Sequence, residues 1–404
     1  MKFFVPALCA MTLFSCENVD YYVPDVPEEN PSVLLSDVAR MLSELPIASS
    51  QMGEVRDAVL SSSGNGYDEE YMLRSLLTVP GAGVGDETSS TKAPSSYETP
   101  LRDLIEKYYR QKTKTKAGDV DEPGVKAALD RLMDSGAQIY WPGAEKWDGS
   151  TLPVVTFDPC DGSSTNVGYK MLPDGGLQEV VVDEKMASER PVWVVNRNDD
   201  SGYATLEMLR REYGEGEGGT VVIRPNSSLP SVSSYSHLST PSAPYLRTLV
   251  LKSFRVSHNY DPWFCGASEF WVKIGAIEGF TASTEAEMHL YSPSVTDLMV
   301  VVRRSQIGKE IPLNAVLVSE WTDQLASCAF LLTEDDGGTQ TNWNCTAKVF
   351  VKGKSYGFDL SVPCRVRDDI IWRGQLSSKY FEVNNDVSGS FGDVSLTFSF
   401  HDSH

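Results

Sequence analysis

The sequence predicts an α+β protein in three parts: an N-terminal helical region, a middle mixed α/β module and a C-terminal antiparallel β-sandwich. Three observations carry this expectation. Apolar residues recur at helical spacing as far as residue 135, and the period turns to two at Ala137. From Leu246 onward, short apolar runs alternate with Gly, Asn, Asp and Lys turns, with no helical spacing between them. A length of 404 residues also exceeds what one apolar core usually serves, about 250–300 residues.

In chain order, residues 1–15 place one basic residue, Lys2, before an apolar run at 3–14 that is too short to span a bilayer. The run ends in Leu13-Phe14-Ser15-Cys16, with a small residue directly before a cysteine. This pattern resembles that of bacterial lipoproteins; the alternative is an ordinary secretory signal. The resemblance implies cleavage before Cys16, a lipid such as palmitate on Cys16, and a place in the cell envelope. The membrane would be a partner through that lipid, at an outer membrane and facing periplasm or exterior. Residues 16–31, acidic and proline-bearing, then read as a tether.

The helical region is expected over 32–135. Ser32 or Ser36 can cap a helix with Val38, Met41, Leu42 and Leu45 on one stripe and Pro46 at its end. Val55, Val59 and Leu60 mark a second helix, and the Gly64-Asn65-Gly66 turn separates it from a third beginning at Tyr67. Residues 78–100, rich in Gly, Ser, Thr and Pro, read as a linker. Leu101, Leu104, Ile105 and Tyr108, and then residues 124–135, give two further helices.

The middle module is expected over 136–225, with strands near 139–141, 154–157, 167–171, 177–182 and 192–195 and a helix at 205–213. Pro173-Asp174-Gly175-Gly176 makes a hairpin turn. The glycine run at 214–219 follows a helix rather than opening one and carries Glu215 and Glu217, so it is no phosphate cradle. After a linker at 226–245, the sandwich is expected over 246–404. Its strand candidates include 287–290, with Glu287 and His289 on one face, and Ser388-Gly389-Ser390-Phe391-Gly392 reads as a turn before the last strand. Strand order and the acidic loop Glu334-Asp335-Asp336 are similar to C2-type sandwiches. The Asp-x-Asp spacing that those domains use for calcium is absent, so the resemblance implies architecture alone.

A formal charge of −21, from 56 acidic and 35 basic residues, opposes nucleic acid as a partner. Beyond Cys9 and Cys16 the cysteines are Cys160, Cys265, Cys328, Cys345 and Cys364, an odd set without C-x-x-C, and no H-E-x-x-H occurs. No zinc site is expected from them. A hairpin centred on Asp336-Gly337 would bring Cys328 opposite Cys345, and one around Lys354-Ser355 would bring Cys345 opposite Cys364. The first is favoured of these two competing disulfides.

No serine sits in G-x-S-x-G, and no catalytic residue is assigned. Two aromatic loops are the candidate ligand sites, one bearing Trp141 and Trp147 and the other Trp263 and Trp271. Tryptophan among polar neighbours can stack on a sugar ring or anchor a protein, although buried packing is its more frequent fate. Residues 196–207 offer Asn196, Asn198, Asp200 and Glu207 at positions one, three, five and twelve of a calcium loop. Against this, Asn replaces the usual first Asp and Gly202 is displaced by one from the turn position; a solvated connection is the alternative. The sequence thus points to a lipid-anchored envelope protein that recognises glycan or protein, with an envelope hydrolase as the alternative. A hydrolase needs convergent acidic or His side chains in a pocket, and a binder needs an exposed aromatic platform.

Overall fold

The computed structural model describes residues 33–78, 97, 99–114, 118–172, 174–198, 246–382 and 386–402. Cys16 and the signal, the tether, most of the 78–100 linker, the helix expected at 205–213 and the 226–245 linker lie outside them. Among the described residues the fold is rich in β-structure, with several antiparallel sheets. None of their helices is long and apolar enough to cross a membrane.

The first half of the described chain forms helices α1 (Leu35–Glu44), α2 (Ser49–Gly64), α3 (Leu73–Leu77), α4 (Leu101–Lys112), α5 (Glu122–Asp134) and α6 (Glu184–Glu189). Asp121 and Asp183 cap α5 and α6, their carboxylates accepting from the amides of Gly124 and Met186. Six strands, β1 (Glu70–Met72), β2 (Ala137–Tyr140), β3 (Val154–Phe157), β4 (Thr165–Met171), β5 (Leu177–Asp183) and β6 (Val192–Arg197), pair in the order β1-β2-β6-β3-β4-β5. The β3–β6 pair is parallel and the others are antiparallel.

The middle of this sheet, where β6 lies between β2 and β3, is buried on both faces, which explains the unbroken apolar run at 192–195. Trp193 and Val195 face the helices, sharing a core with Val38, Met41 and Leu42 of α1, whereas Val192 and Val194 face Tyr140, Trp263 and Phe264. Two expectations change accordingly. The boundary drawn at 135/136 runs through one core, because the helical stripes have no bundle partner large enough and cover the sheet instead. The third helix does not begin at Tyr67; residues 70–72 pair first with β2, Glu70 opposite Tyr140, before α3 starts.

The second half forms β7 (Leu246–Val256), β8 (Ser268–Ala276), β9 (Ser294–Val302), β10 (Ile311–Thr322), β11 (Leu325–Glu334), β12 (Gln340–Val351), β13 (Lys354–Arg365), β14 (Asp369–Ser377), the short α7 (Ser378–Phe381), β15 (Asp386–Phe391) and β16 (Val394–Asp402). One sheet runs β10-β7-β16-β15, and the other β13-β12-β11-β8-β9 with β14 also on β11. Their facing side chains make one core, in which Phe254 lies 5.2 Å from Phe270 and Phe330 lies 5.9 Å from Phe398. Burying each such ring stabilises by roughly 1.5–3 kcal/mol.

Several local expectations are corrected here. Glu287 and His289 lie in a 3-10 turn, Ala286–Leu290, and not on a strand. Residues 386–391 form edge strand β15 where a turn is expected; glycine stands at 389 because a Cβ there would collide with the Tyr380 hydroxyl. Neither disulfide forms, and Cys328, Cys345 and Cys364 are free thiols. Lys352 and Gly353, both with positive φ (50° and 78°), make a two-residue turn that pairs Val351 with Lys354. That register puts Cys345 opposite Leu360 and Cys364 opposite Thr341. Cys328 faces Leu376 of β14, since β12 leaves β11 after Ser327.

Candidate functional site

Beyond β2 the chain turns over the end of the first sheet. Gly143 takes a left-handed conformation (φ 70°) ahead of a 3-10 turn, Ala144–Lys146. Asp148 ties the following loop by accepting from the Ser150 and Thr151 amides at 2.8 and 2.7 Å and from the Thr151 hydroxyl at 2.6 Å. These bonds hold its carboxyl well below the usual carboxylate range. The Trp147 indole donates to the Thr151 carbonyl at 2.9 Å, fixing the ring.

This loop, α6 with Arg190 and Pro191, and Trp263 with Arg304 enclose a cleft of about 350 Å³. Trp141 and Trp263, 1% and 4% exposed, belong to its floor. Trp147 is half-buried against it, its ring 6.1 Å from Trp141 in an edge-on arrangement. Tyr140 Oη and Arg190 Nε are buried without a hydrogen-bond partner among the described residues, and both residues line the cleft. Such atoms are costly unless something bonds them.

Glu69 reaches the cleft from the segment before β1, its Oε1 accepting from the Gly143 amide at 3.2 Å. Burial, followed by the charges of Asp68 and Glu145, pushes its carboxyl up to about 7. It can therefore donate a proton at neutral pH, which an ordinary glutamate cannot.

The cleft wall is clamped by Arg304. Its Nε donates to Gly266 O at 3.1 Å, one terminal nitrogen to Asp261 O at 2.6 Å and the other to Glu184 at 3.1 Å. Trp263 donates to Ser164 O at 2.9 Å, and the Ala267 amide donates to Asp68 at 2.8 Å. Gly266 adopts φ 110°, and a Cβ there would lie 2.5 Å from the Asp68 carboxylate, so glycine is required.

The clamped segment begins at Asp261, on the far side of Arg304. Carboxylate oxygens of Asp261, Glu269 and Glu334 lie within 4.8 Å of one another. Glu334, at the end of β11, is 0% exposed, and no donor among the described residues reaches either of its oxygens. Asp369 stands directly across from it on β14. Burial, and then the neighbouring Asp261, Asp336 and Asp369, raise the Glu334 carboxyl far above the ordinary range. Asp336 is pushed up to about 6 by burial and then by Asp261 and Asp369. Asp335 differs, accepting from Trp271 Nε1 at 2.9 Å and from Arg365 at 3.0 Å.

Of the four tryptophans singled out in the sequence, the fold brings Trp141, Trp147 and Trp263 together. Trp271 stands apart on β8, held to Asp335 with the Lys273 ammonium 4.5 Å over its ring. The exposed platform is corrected: Trp141 and Trp263 are core side chains, each packed over one face of the first sheet. The calcium loop is corrected at its start. Asn196 is a buried residue of β6, opposite Gln138, and its amide donates to Phe264 O and Cys265 O at 3.3 and 3.1 Å. Asn198, just past that strand, donates to Gln138 at 3.1 Å, so both side chains are engaged with the sheet and its neighbour rather than with a loop. Asp200 and Glu207 lie outside the described residues.

Glu69, Tyr140, Arg190 and Arg304 went unnoticed in the sequence. One signal was present: three consecutive acids, Asp68-Glu69-Glu70, between Tyr67 and Tyr71. All three are buried. No family model matches the chain, and no curated protein is similar to it.

Proposed function

We propose that this is a lipid-anchored cell-envelope protein whose cleft binds a neutral, polyhydroxylated ligand such as a short glycan. The observation that carries the reading is the half-open Trp147 ring over an aromatic floor, beside the buried, unpartnered Tyr140 Oη and Arg190 Nε. Sugars present an apolar ring face to aromatic rings and hydroxyls to the polar groups around such an opening. Glu69, Glu145, Asp148, Glu184 and Glu189 outweigh Lys146, Arg190 and Arg304 around the opening, which disfavours anionic ligands. A loop of an envelope protein is a second ligand class for the same cleft. Lipid on Cys16 would supply the membrane contact. The layout in keeping with this role is α+β: helices and mixed sheet sharing one core, followed by an antiparallel β-sandwich.

Titration calorimetry against a panel of neutral oligosaccharides tests the cleft. Trp147→Ala is expected to weaken binding about tenfold or more, a loss of about 1.4 kcal/mol, with the fold retained. Binding that is unchanged by the substitution, or absent throughout the panel, refutes the reading. For the anchor, Cys16→Ala should release the protein from membranes and abolish palmitate labelling; undiminished labelling refutes it.

A hydrolase is the second reading, favoured by one feature. Glu69 is positioned as a proton donor with Glu145 within charge range. If the bound glycan is also cleaved, Glu69→Gln should abolish turnover and preserve binding.

A further inference from the structure

We infer that the pocket formed by Asp261, Glu269 and Glu334 is a divalent-cation site, with calcium the preferred ion. The three carboxylates come from separate places in the fold: the β7–β8 connection, the start of β8 and the end of β11. Their oxygens fall within 4.8 Å of one another. Oxygens this close can share one shell of calcium–oxygen bonds of about 2.3–2.6 Å, and calcium accepts irregular carboxylate sets, whereas magnesium demands near-octahedral geometry at about 2.0–2.1 Å and keeps several waters. The ligand set is all oxygen, which disfavours zinc.

A cluster of acids alone would not carry this. The independent observation is Glu334, which is 0% exposed, aimed into the cluster, and without a donor on either oxygen. Among the described residues, Asp261 Oδ2 is likewise buried without a donor. The nearby cations are engaged elsewhere: Arg304 bonds the main-chain oxygen of Asp261 and not its carboxyl, and Arg365 bonds Asp335. A buried carboxylate facing two others needs a proton or a metal ion between them. The two solutions predict different behaviour.

The full-length protein, stripped with EDTA and held at pH 7.5, should melt higher on addition of calcium chloride. The rise should be roughly 5 °C at a hundredfold excess over Kd, and smaller with magnesium. Terbium should also bind and luminesce on tryptophan excitation. Glu334→Gln and Asp261→Asn should each abolish both signals, and Glu207→Gln, in the loop suggested by the sequence, should leave them intact. In EDTA, Glu334→Gln should melt at or above the wild type, since it removes a buried carboxyl crowded by other acids; if it does not fold, Asp261→Asn decides. No melting shift and no luminescence at roughly 10 mM calcium, well above even weak extracellular sites, would overturn the inference in favour of a shared proton. Signals that survive both substitutions would overturn it equally.

Discussion

The aromatic cleft and the carboxylate pocket share one stretch of chain: Trp263 lines the first, Asp261 and Glu269 belong to the second, and Arg304 bonds the main chain between them at Asp261 and Gly266. They are built on opposite terms. The cleft rests on rings that would be buried with or without a ligand, and its unpaired atoms, buried beneath it, are a hydroxyl and a guanidinium nitrogen. The pocket places charge against charge at the end of a strand that is otherwise well packed. The first arrangement costs the fold little. The second costs it a great deal unless occupied, and departures of this kind from good packing are where function is expected. Substitutions that separate support from recognition can sharpen the comparison.

The largest effect should come from the segment that the two sites share. Trp263 fills the second face of the first sheet and bonds Ser164, so Trp263→Ala should cost about 3–5 kcal/mol by chemical denaturation. Trp147 is half-buried at the rim, and Trp147→Ala should cost only about 1 kcal/mol. Similar losses for both would break the division between floor and ligand-facing ring.

Glu69 supplies the next effect, of the order of 2 kcal/mol. Its carboxyl is raised to about 7 in the folded state, against an ordinary value of 4.5, so the folded protein holds the proton that the unfolded chain has already released. This contribution is complete below about pH 4.5 and is lost as pH rises through 7. Glu69→Gln should therefore flatten the decline in stability between pH 5 and pH 8 and stabilise the protein at the upper end. Parallel wild-type and variant curves over that range would show that Glu69 is not the buried acid of the cleft.

These residues also mark what could be seen in the sequence. Helix positions followed from the apolar stripes of Val38, Met41 and Leu42 and of Leu101, Leu104 and Ile105, because periodicity reports the buried face directly. What covers that face is not periodic information, and so the shared core of helices and sheet was invisible. The same holds for Trp263, whose polar-looking loop gives no sign that it caps a sheet about seventy residues earlier in the chain. The carboxylate pocket joins Asp261 to Glu334 across a similar distance, and only its Glu334-Asp335-Asp336 end stood out. Strands β14 and β15 were missed because Arg373, Gly374, Gly389 and the intervening serines dilute the alternation that identifies a strand.

The smallest effect concerns the thiols, where the expectation is no change at all. Pairing strands by the sum of their residue numbers is valid only if the turn is known, and here the Lys352-Gly353 turn shifts Cys364 away from Cys345 while β14 takes the place beside Cys328. Burial pushes the Cys328 thiol up to about 12 and the Cys345 thiol up to about 11, so neither offers thiolate to an alkylating reagent near neutral pH. Non-reducing peptide mapping should recover Cys328, Cys345 and Cys364 as thiols. Iodoacetamide should modify Cys328 only under denaturing conditions. The C-terminal sheets would then be held by their aromatic core alone, without the covalent tie that an envelope location permits. A peptide linking Cys328 to either of the others would mean that the pairing of β11 is wrong, and with it the position of Glu334 in the carboxylate pocket; one linking Cys345 to Cys364 would overturn the β12–β13 register instead.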